Sequence, residues 1–228
     1  MKWLLILCLA ACSDEVDPEW QLDHTRIIAV RATPPRIQPG EQAQIDLLFG
    51  MKGAATSMPA PDQVVVISPM SLADTVAGTT VTAPSTDRLA EARTELALAA
   101  DAPVPLELGV TVSGVAATKT VYLGATADNP TLDNIVIGGV PAPDAGQPIT
   151  VPFDTDVHMG VDADDSNHLV DWYSSCGTMH DFDLHLSYIH VEADDPQTGE
   201  LALIVRDLGG GVVWRVWPIS ATGSPTQP

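Results

Sequence analysis

The chain reads as an all-β protein built from two tandem antiparallel β-sandwiches, the first carrying one short helix. Three observations predict this. Short runs of β-branched and apolar residues recur along its 228 residues, most of them alternating apolar with polar side chains. Turn residues separate the runs; the chain has 19 prolines and 17 glycines. Helical spacing surfaces in one segment only, residues 87–100.

The first element is a signal. Lys2 gives a positive start, WLLILCL (3–9) is a short apolar run, and Leu9-Ala10-Ala11-Cys12 closes it with small residues. That order of parts marks a secretory signal. The run is too short to cross a bilayer, which takes roughly 20 apolar residues in a helix. LAAC resembles the lipobox of bacterial lipoproteins. The resemblance implies cleavage after residue 11 and an acylated Cys12 that tethers the protein to the cell envelope. Two or more acyl chains suffice for stable anchoring. Ser13 and Asp14 follow the cysteine, and by analogy with enterobacterial sorting they favour the outer membrane over the inner one. An ordinary cleaved signal without lipid is the alternative. Residues 12–24 are acidic and lack periodicity, so they read as a tether.

The first sandwich is expected over 25–127. Ile28, Val30 and Ala32 share one parity, and the strand stops at Pro34-Pro35. Pro39-Gly40-Glu41 is the next turn, after which Ile45, Leu47 and Phe49 alternate with Gln44, Asp46 and Leu48. Val64–Ile67 and Thr79–Thr82 are further short strands. DRLAEARTELALAA (87–100) is rich in helix formers, lacks Gly and Pro, and follows Ser85 and Thr86 as caps. It predicts a short helix across one end of the sandwich. Alternation returns at Leu106, Leu108, Val110 and Val112, and Thr120–Leu123 closes the unit. Residues 51–105 show no alternation that registers against a seven-strand template.

Asn129-Pro130 initiates a turn past the boundary near 125–128, and the second sandwich is expected over 128–221. Its strands fall at Ile135–Ile137, Ile149–Phe153, His168–Ser174, Leu184–Glu192, Leu201–Arg206 and Val212–Ile219, with the loop PAPDAGQP at 141–148. Residues 222–228 read as a disordered tail.

The stretch TRIIAVRATPPRIQPGEQAQIDLLF (25–49) resembles the opening strands of immunoglobulin-like modules found in lipoproteins of myxobacteria and related bacteria. DADDSNHLVDWYSSCG (162–177) and GELALIVRDLGGGVVW (199–214) are similar to PKD- and cadherin-like sandwiches. The resemblance implies that Trp172 is the core tryptophan and that Asp207 with Gly209-Gly210-Gly211 makes a hairpin turn. It covers about a third of the chain and speaks for fold and location, since such folds host many functions.

Charge narrows the partners. Ten Lys and Arg stand against 30 Asp and Glu, a net charge of −20. Such a field repels phosphate backbones, which excludes nucleic acid as the expected partner. A membrane, through lipid, and a protein or polysaccharide of the envelope are the partners the reading leaves. Cys8 lies in the signal and Cys12 is the lipid acceptor, so Cys176 stands alone and reads as a buried structural thiol.

Asp162, Asp164 and Asp165 form one acidic cluster; Glu192, Asp194 and Asp195 form another. Calcium takes about six to eight oxygen ligands from such loops. If both clusters lie at one end of the sandwich they can share an ion, which gives the alternative function of a calcium-dependent adhesion or ligand-binding module. The 162–173 window departs from the EF-hand pattern, with Asn167 where Gly and Tyr173 where Glu belong, and solvated turns explain Asp-rich loops equally. His158, His168, His180, His185 and His190 also fall in the second unit. Read as one strand, His180 and His190 stand roughly 33 Å apart, and Asp181, Asp183 and His185 share a face. Surface histidines are the reading that follows. Enzyme signatures are missing: no G-x-S-x-G, no H-E-x-x-H and no phosphate loop. The sequence therefore predicts a lipid-anchored, non-enzymatic envelope module with no resident cofactor.

Overall fold

Strands whose side chains alternate between a core and solvent pair into sheets, and two such sheets close on one apolar layer. The computed structural model describes residues 18–163 and 166–223. Cys12 and the signal, Asp164, Asp165, and the tail from Ser224 lie outside the described residues. The chain runs β1 (Arg26–Thr33), β2 (Arg36–Ile37), β3 (Gln42–Met51), β4 (Ala54–Ser57), β5 (Gln63–Ser68), a 3-10 turn over Met70–Thr75, β6 (Val76–Ala77), β7 (Thr80–Thr82), α1 (Thr86–Glu95), β8 (Val104–Val112) and β9 (Val115–Leu123). It continues with β10 (Asp133–Ile137), β11 (Val140–Pro141), β12 (Ile149–Pro152), β13 (Val157–Asp162), β14 (His168–Ser174), β15 (Thr178–His180), β16 (Leu186–His190), β17 (Thr198–Asp207) and β18 (Val212–Thr222).

These strands make four sheets. β1-β3-β7-β6, with β4 on β3, faces β2-β9-β8-β5; β11-β10-β13-β16-β15 faces β12-β18-β17-β14. The two pairs share one order. One sheet holds β1, β3, β6 and β7 in the first sandwich and β10, β13, β15 and β16 in the second; the other holds β2, β5, β8 and β9 in the first and β12, β14, β17 and β18 in the second. That is the immunoglobulin-like arrangement. Two pairings depart from the antiparallel expectation: β2 runs parallel to β9, and β12 parallel to β18. The cause is that the N-terminal segment of each sandwich crosses from one sheet to the other, directly from β1 to β2 in the first and through β11 and the loop 142–148 to β12 in the second, and then runs beside the last strand in the same direction.

The unregistered stretch 51–105 holds β4, β5, the 3-10 turn, β6, β7 and α1. α1 ends earlier than 100, because Ala97 turns into the left-handed region at φ 53°. Leu89 and Ala92 are its buried residues and complete the first core beside Leu72, Leu106 and Leu108. The second core closes on Trp172 and Trp217, both 0% exposed.

A third apolar cluster joins the sandwiches. Leu22, Ile28, Ala29 and Leu48 meet Ala202, Ile204 and Val212, with Tyr173, Trp214 and Val216 packed around them. Ile28 reaches this joint because a register shift between Ile27 and Ala29 breaks the parity it shares with Val30 in sequence. Asn129 stitches the boundary: its amide donates to Ala32 O at 2.9 Å and accepts from Val212 N at 2.8 Å. The expected tether is shortened as well. Leu22 N donates to Ser174 O, Ser174 N donates to Trp20 O, and Leu22 is 1% exposed. Trp20 and Leu22 are apolar enough to dock, although acidic residues surround them. At the other end, Thr222 still belongs to β18 and pairs with Pro152 rather than starting a tail.

Candidate functional site

The register of β13 against β16 sets where the acidic loops fall. Val157 pairs with Ile189 and Gly160 with Leu186. Asp162 therefore ends β13 at the start of β16, whereas Glu192, Asp194 and Asp195 lie past the end of β16. About eight residues of strand, roughly 26 Å, separate the two positions. The shared calcium site expected from Asp162, Asp194 and Asp195 is thus corrected: the clusters occupy opposite ends of the sheet. Asp162 accepts from Asn134 Nδ2 at 3.2 Å. Asp195 caps its own loop, accepting from Glu192 N at 2.9 Å. Asp164 and Asp165 lie outside the described residues, as does the lipid acceptor Cys12. Among the described residues no three His, Cys, Asp or Glu are placed to hold a metal ion.

The histidines are placed differently from a single-strand reading. Residues 181–185 form a turn, with Leu184 N donating to Asp181 O at 3.0 Å, so Asp181, Asp183 and His185 share no strand face. The turn folds β15 back on β16 and pairs His180 with Tyr188 and Thr178 with His190. His180 and His190 end one row apart, about 7 Å along the strand. Tyr188 stands in a cross-strand row between His158, at 5.6 Å, and His180, which stacks on it at 4.4 Å. The next row holds His190, whose Nδ1 meets Asp156 Oδ1 at 2.6 Å while its Nε2 faces Asp154 at 3.5 Å and Glu192 at 3.9 Å. The hydrogen bond to Asp156, with the other carboxylates behind it, raises the His190 pKa above the ordinary histidine range. A depression of about 330 Å³ opens between Asp156, His180, Tyr188, His190 and Glu192. Its chemistry is charge pairing and ring stacking.

Cys176 and His180 lie on opposite sides of this sheet. The thiol is 0% exposed in the second core, and burial pushes its pKa up to about 11, which leaves it protonated. Ser174 Oγ donates to Cys176 O and accepts from Cys176 N, tying the residue to the turn.

The joint gathers the cations that composition makes scarce. Arg31 pairs with Asp46 at 2.5 Å and lies 4.1 Å from the Trp214 ring. Arg26 lies 5.1 Å from the Tyr173 ring. Arg206 pairs with Asp171 and donates to Ile28 O at 2.9 Å across the joint. Arg36 donates to Gly209 O at 3.1 Å, and Lys119 donates to Gly210 O. Desolvation pushes the Lys119 pKa down to about 8, against the pull of Asp207. A cleft of about 500 Å³ opens beside Lys119, Tyr122, Arg206 and Asp207.

This contact explains the glycine triplet. Gly210 sits at φ 90°, and a Cβ there would meet Thr120 O at 3.1 Å and the Tyr122 ring at 3.2 Å. The turn is glycine because it docks against the first sandwich at backbone distance. In sequence the triplet signals a turn; its docking surface, some 90 residues earlier, leaves no local mark.

The fold and the joint define an immunoglobulin-like protein of two sandwiches. No protein-family model matches the sequence, and no curated protein matches it. Solved structures align weakly. A nucleoside hydrolase-related hypothetical protein from Saccharophagus degradans, associated with carbohydrate metabolism, is 12% identical over 42% of this chain and 26% of its own, with a TM-score of 0.33. The chain thus spans about a quarter of that protein's length. The N-terminal Ig1-2 module of the Drosophila receptor tyrosine phosphatase DLAR is 12% identical over 88% of this chain and 100% of its own, at a TM-score of 0.29. Fibronectin(III)-like modules of Clostridium thermocellum CbhA are 14% identical over 85% and 94%, at 0.28. Scores this low carry nothing about activity; the all-β class rests on the strands and sheets themselves.

Proposed function

We propose that this protein is a lipid-anchored, non-enzymatic structural or interaction module of the bacterial cell envelope, held at the outer membrane by Cys12. The observation that carries the structural part is the joint. An apolar cluster, half of the chain's ten Lys and Arg, and the docked Gly209–Gly211 turn hold the two sandwiches in one orientation. Inter-domain contacts of ordinary polarity leave domains free to move, whereas an apolar, interlocked one does not. A pair of sandwiches fixed in this way serves as a spacer that presents its outer faces to a protein or polysaccharide at a set distance from the anchor. The anchor rests on the LAAC motif. Replacing Cys12 by Ala should move the protein from the membrane fraction to the soluble one and abolish incorporation of labelled fatty acid; unchanged partition and labelling would overturn it.

A further inference from the structure

We propose that the cleft at the joint is a binding site for a sugar acid, a hydroxyl-bearing molecule with one carboxylate, whose charge Lys119 takes up. The cleft lies where β9 is left uncovered. β2 pairs with β9 only at Tyr122 and Leu123, so residues 115–121 have a strand on one side alone. Ile27–Val30 of β1 line the gap from the first sandwich, and Leu208, Gly210 and Gly211 of the β17–β18 turn border it from the second. Its volume of about 500 Å³ falls among small-ligand sites, which run from roughly 300 to 1,000 Å³ and favour domain interfaces.

Lys119 gives the cleft its charge. The residue is 6% exposed, yet it carries an ammonium, which is costly to bury without a matching anion. Of its three N–H donors, one goes to Gly210 O, and no second hydrogen-bond acceptor meets it among the described residues. Asp207 attracts it, but that carboxylate is engaged by Gly211 N at 2.9 Å, and Arg206 on the same wall opposes the charge. Desolvation outweighs Asp207, which is why the Lys119 pKa is pushed down to about 8. The buried ammonium is short of negative charge. A carboxylate in the cleft supplies it through charge-assisted hydrogen bonds.

The wall of β9 selects what carries the carboxylate. Thr118, Thr120 and Tyr122 share one face of the strand, each about 7 Å from the next, and all three line the cleft. Their hydroxyls have no hydrogen-bond partner among the described residues. A row of open hydroxyls beside an ammonium suits a polyol acid better than an apolar one. The field of a chain with net charge −20 repels polyanions, so the ligand bears a single carboxylate and not a string of them.

Calorimetric titration of the full chain with D-glucuronate tests this, with glucose and acetate as controls. Glucuronate should bind; glucose, which lacks the carboxylate, and acetate, which lacks the hydroxyls, should bind at least tenfold more weakly. Lys119→Met keeps the apolar stem, removes the ammonium, and should weaken glucuronate binding at least tenfold. Thr118→Val, at an exposed position that touches neither core, should weaken it several-fold at an unchanged melting temperature, which keeps the test open if Lys119→Met unfolds. The other titratable groups on the walls are Tyr122, Arg206 and Asp207, with Arg36 across the turn. Raising the pH from 7 to 9 removes the Lys119 proton and should weaken binding several-fold. A parent that does not bind glucuronate, acetate or glucose bound as tightly as glucuronate, or a folded Lys119→Met or Thr118→Val variant with parental affinity would each overturn the proposal. Equal binding of acetate would mark an adventitious anion only.

Discussion

At the scale of single residues, His190 carries the pH dependence of the molecule's outer face. Asp156 hydrogen-bonds its ring, and Asp154 and Glu192 surround it, so its folded pKa lies above the unfolded value of about 6.5. A raised pKa means that the folded state binds the proton more tightly. The stabilisation is then complete below pH ~6.5 and fades as pH rises through the raised value. Melting temperatures of the parent and of His190→Ala should differ most near pH 5.5 and converge by pH 9; a gap that widens with pH would refute this. The same face shows why its site was illegible in the sequence. His180 and His190 look ten residues apart along a strand, but the turn at 181–185 folds them into adjacent rows. Pairing between strands, and not spacing along one, brings the rings together.

At the scale of elements, β17 is far more readable than β13. LALIV (201–205) lacks alternation, and all five residues are at most 1% exposed. A strand buried on both faces reads as a continuous apolar run: Leu201, Leu203 and Val205 enter the second core, and Ala202 and Ile204 enter the joint. β13 alternates Val157, Met159 and Val161 inward with His158, Gly160 and Asp162 outward, but its polar residues resemble the acidic loop that follows. β2, β6, β11 and β15, at two or three residues each, are shorter than any periodicity can register. The β17–β18 turn gives a sharp test. Gly210→Ala adds a side chain at positive φ against Thr120 and Tyr122, and should destabilise the protein by about 1–3 kcal/mol in a denaturant titration. A change within ~0.3 kcal/mol would mean that the turn does not bear on the first sandwich.

At the scale of the whole molecule, the joint determines whether there are two folding units or one. Ile204 is 0% exposed there, and burying a side chain of that size is worth about 1.5–3 kcal/mol. Ile204→Asp places a charge in the joint without touching either core, and should split the calorimetric transition in two. A single transition in the variant, shifted as a whole, would show that the sandwiches couple elsewhere. Neither unit's sequence announces this surface, because its pairs are long-range: Arg31 meets Trp214, and Lys119 meets Gly210. The N-terminal strap adds a mechanical consequence. Gln21 bridges Ser174 in parallel, and Leu22 lies in the joint, so the chain enters the molecule between its two halves. Tension applied through the residues before Pro18 is therefore delivered to the bridge from 20–22 to β14, in the second sandwich, before it reaches β1 of the first. The bridge bears load ahead of either core.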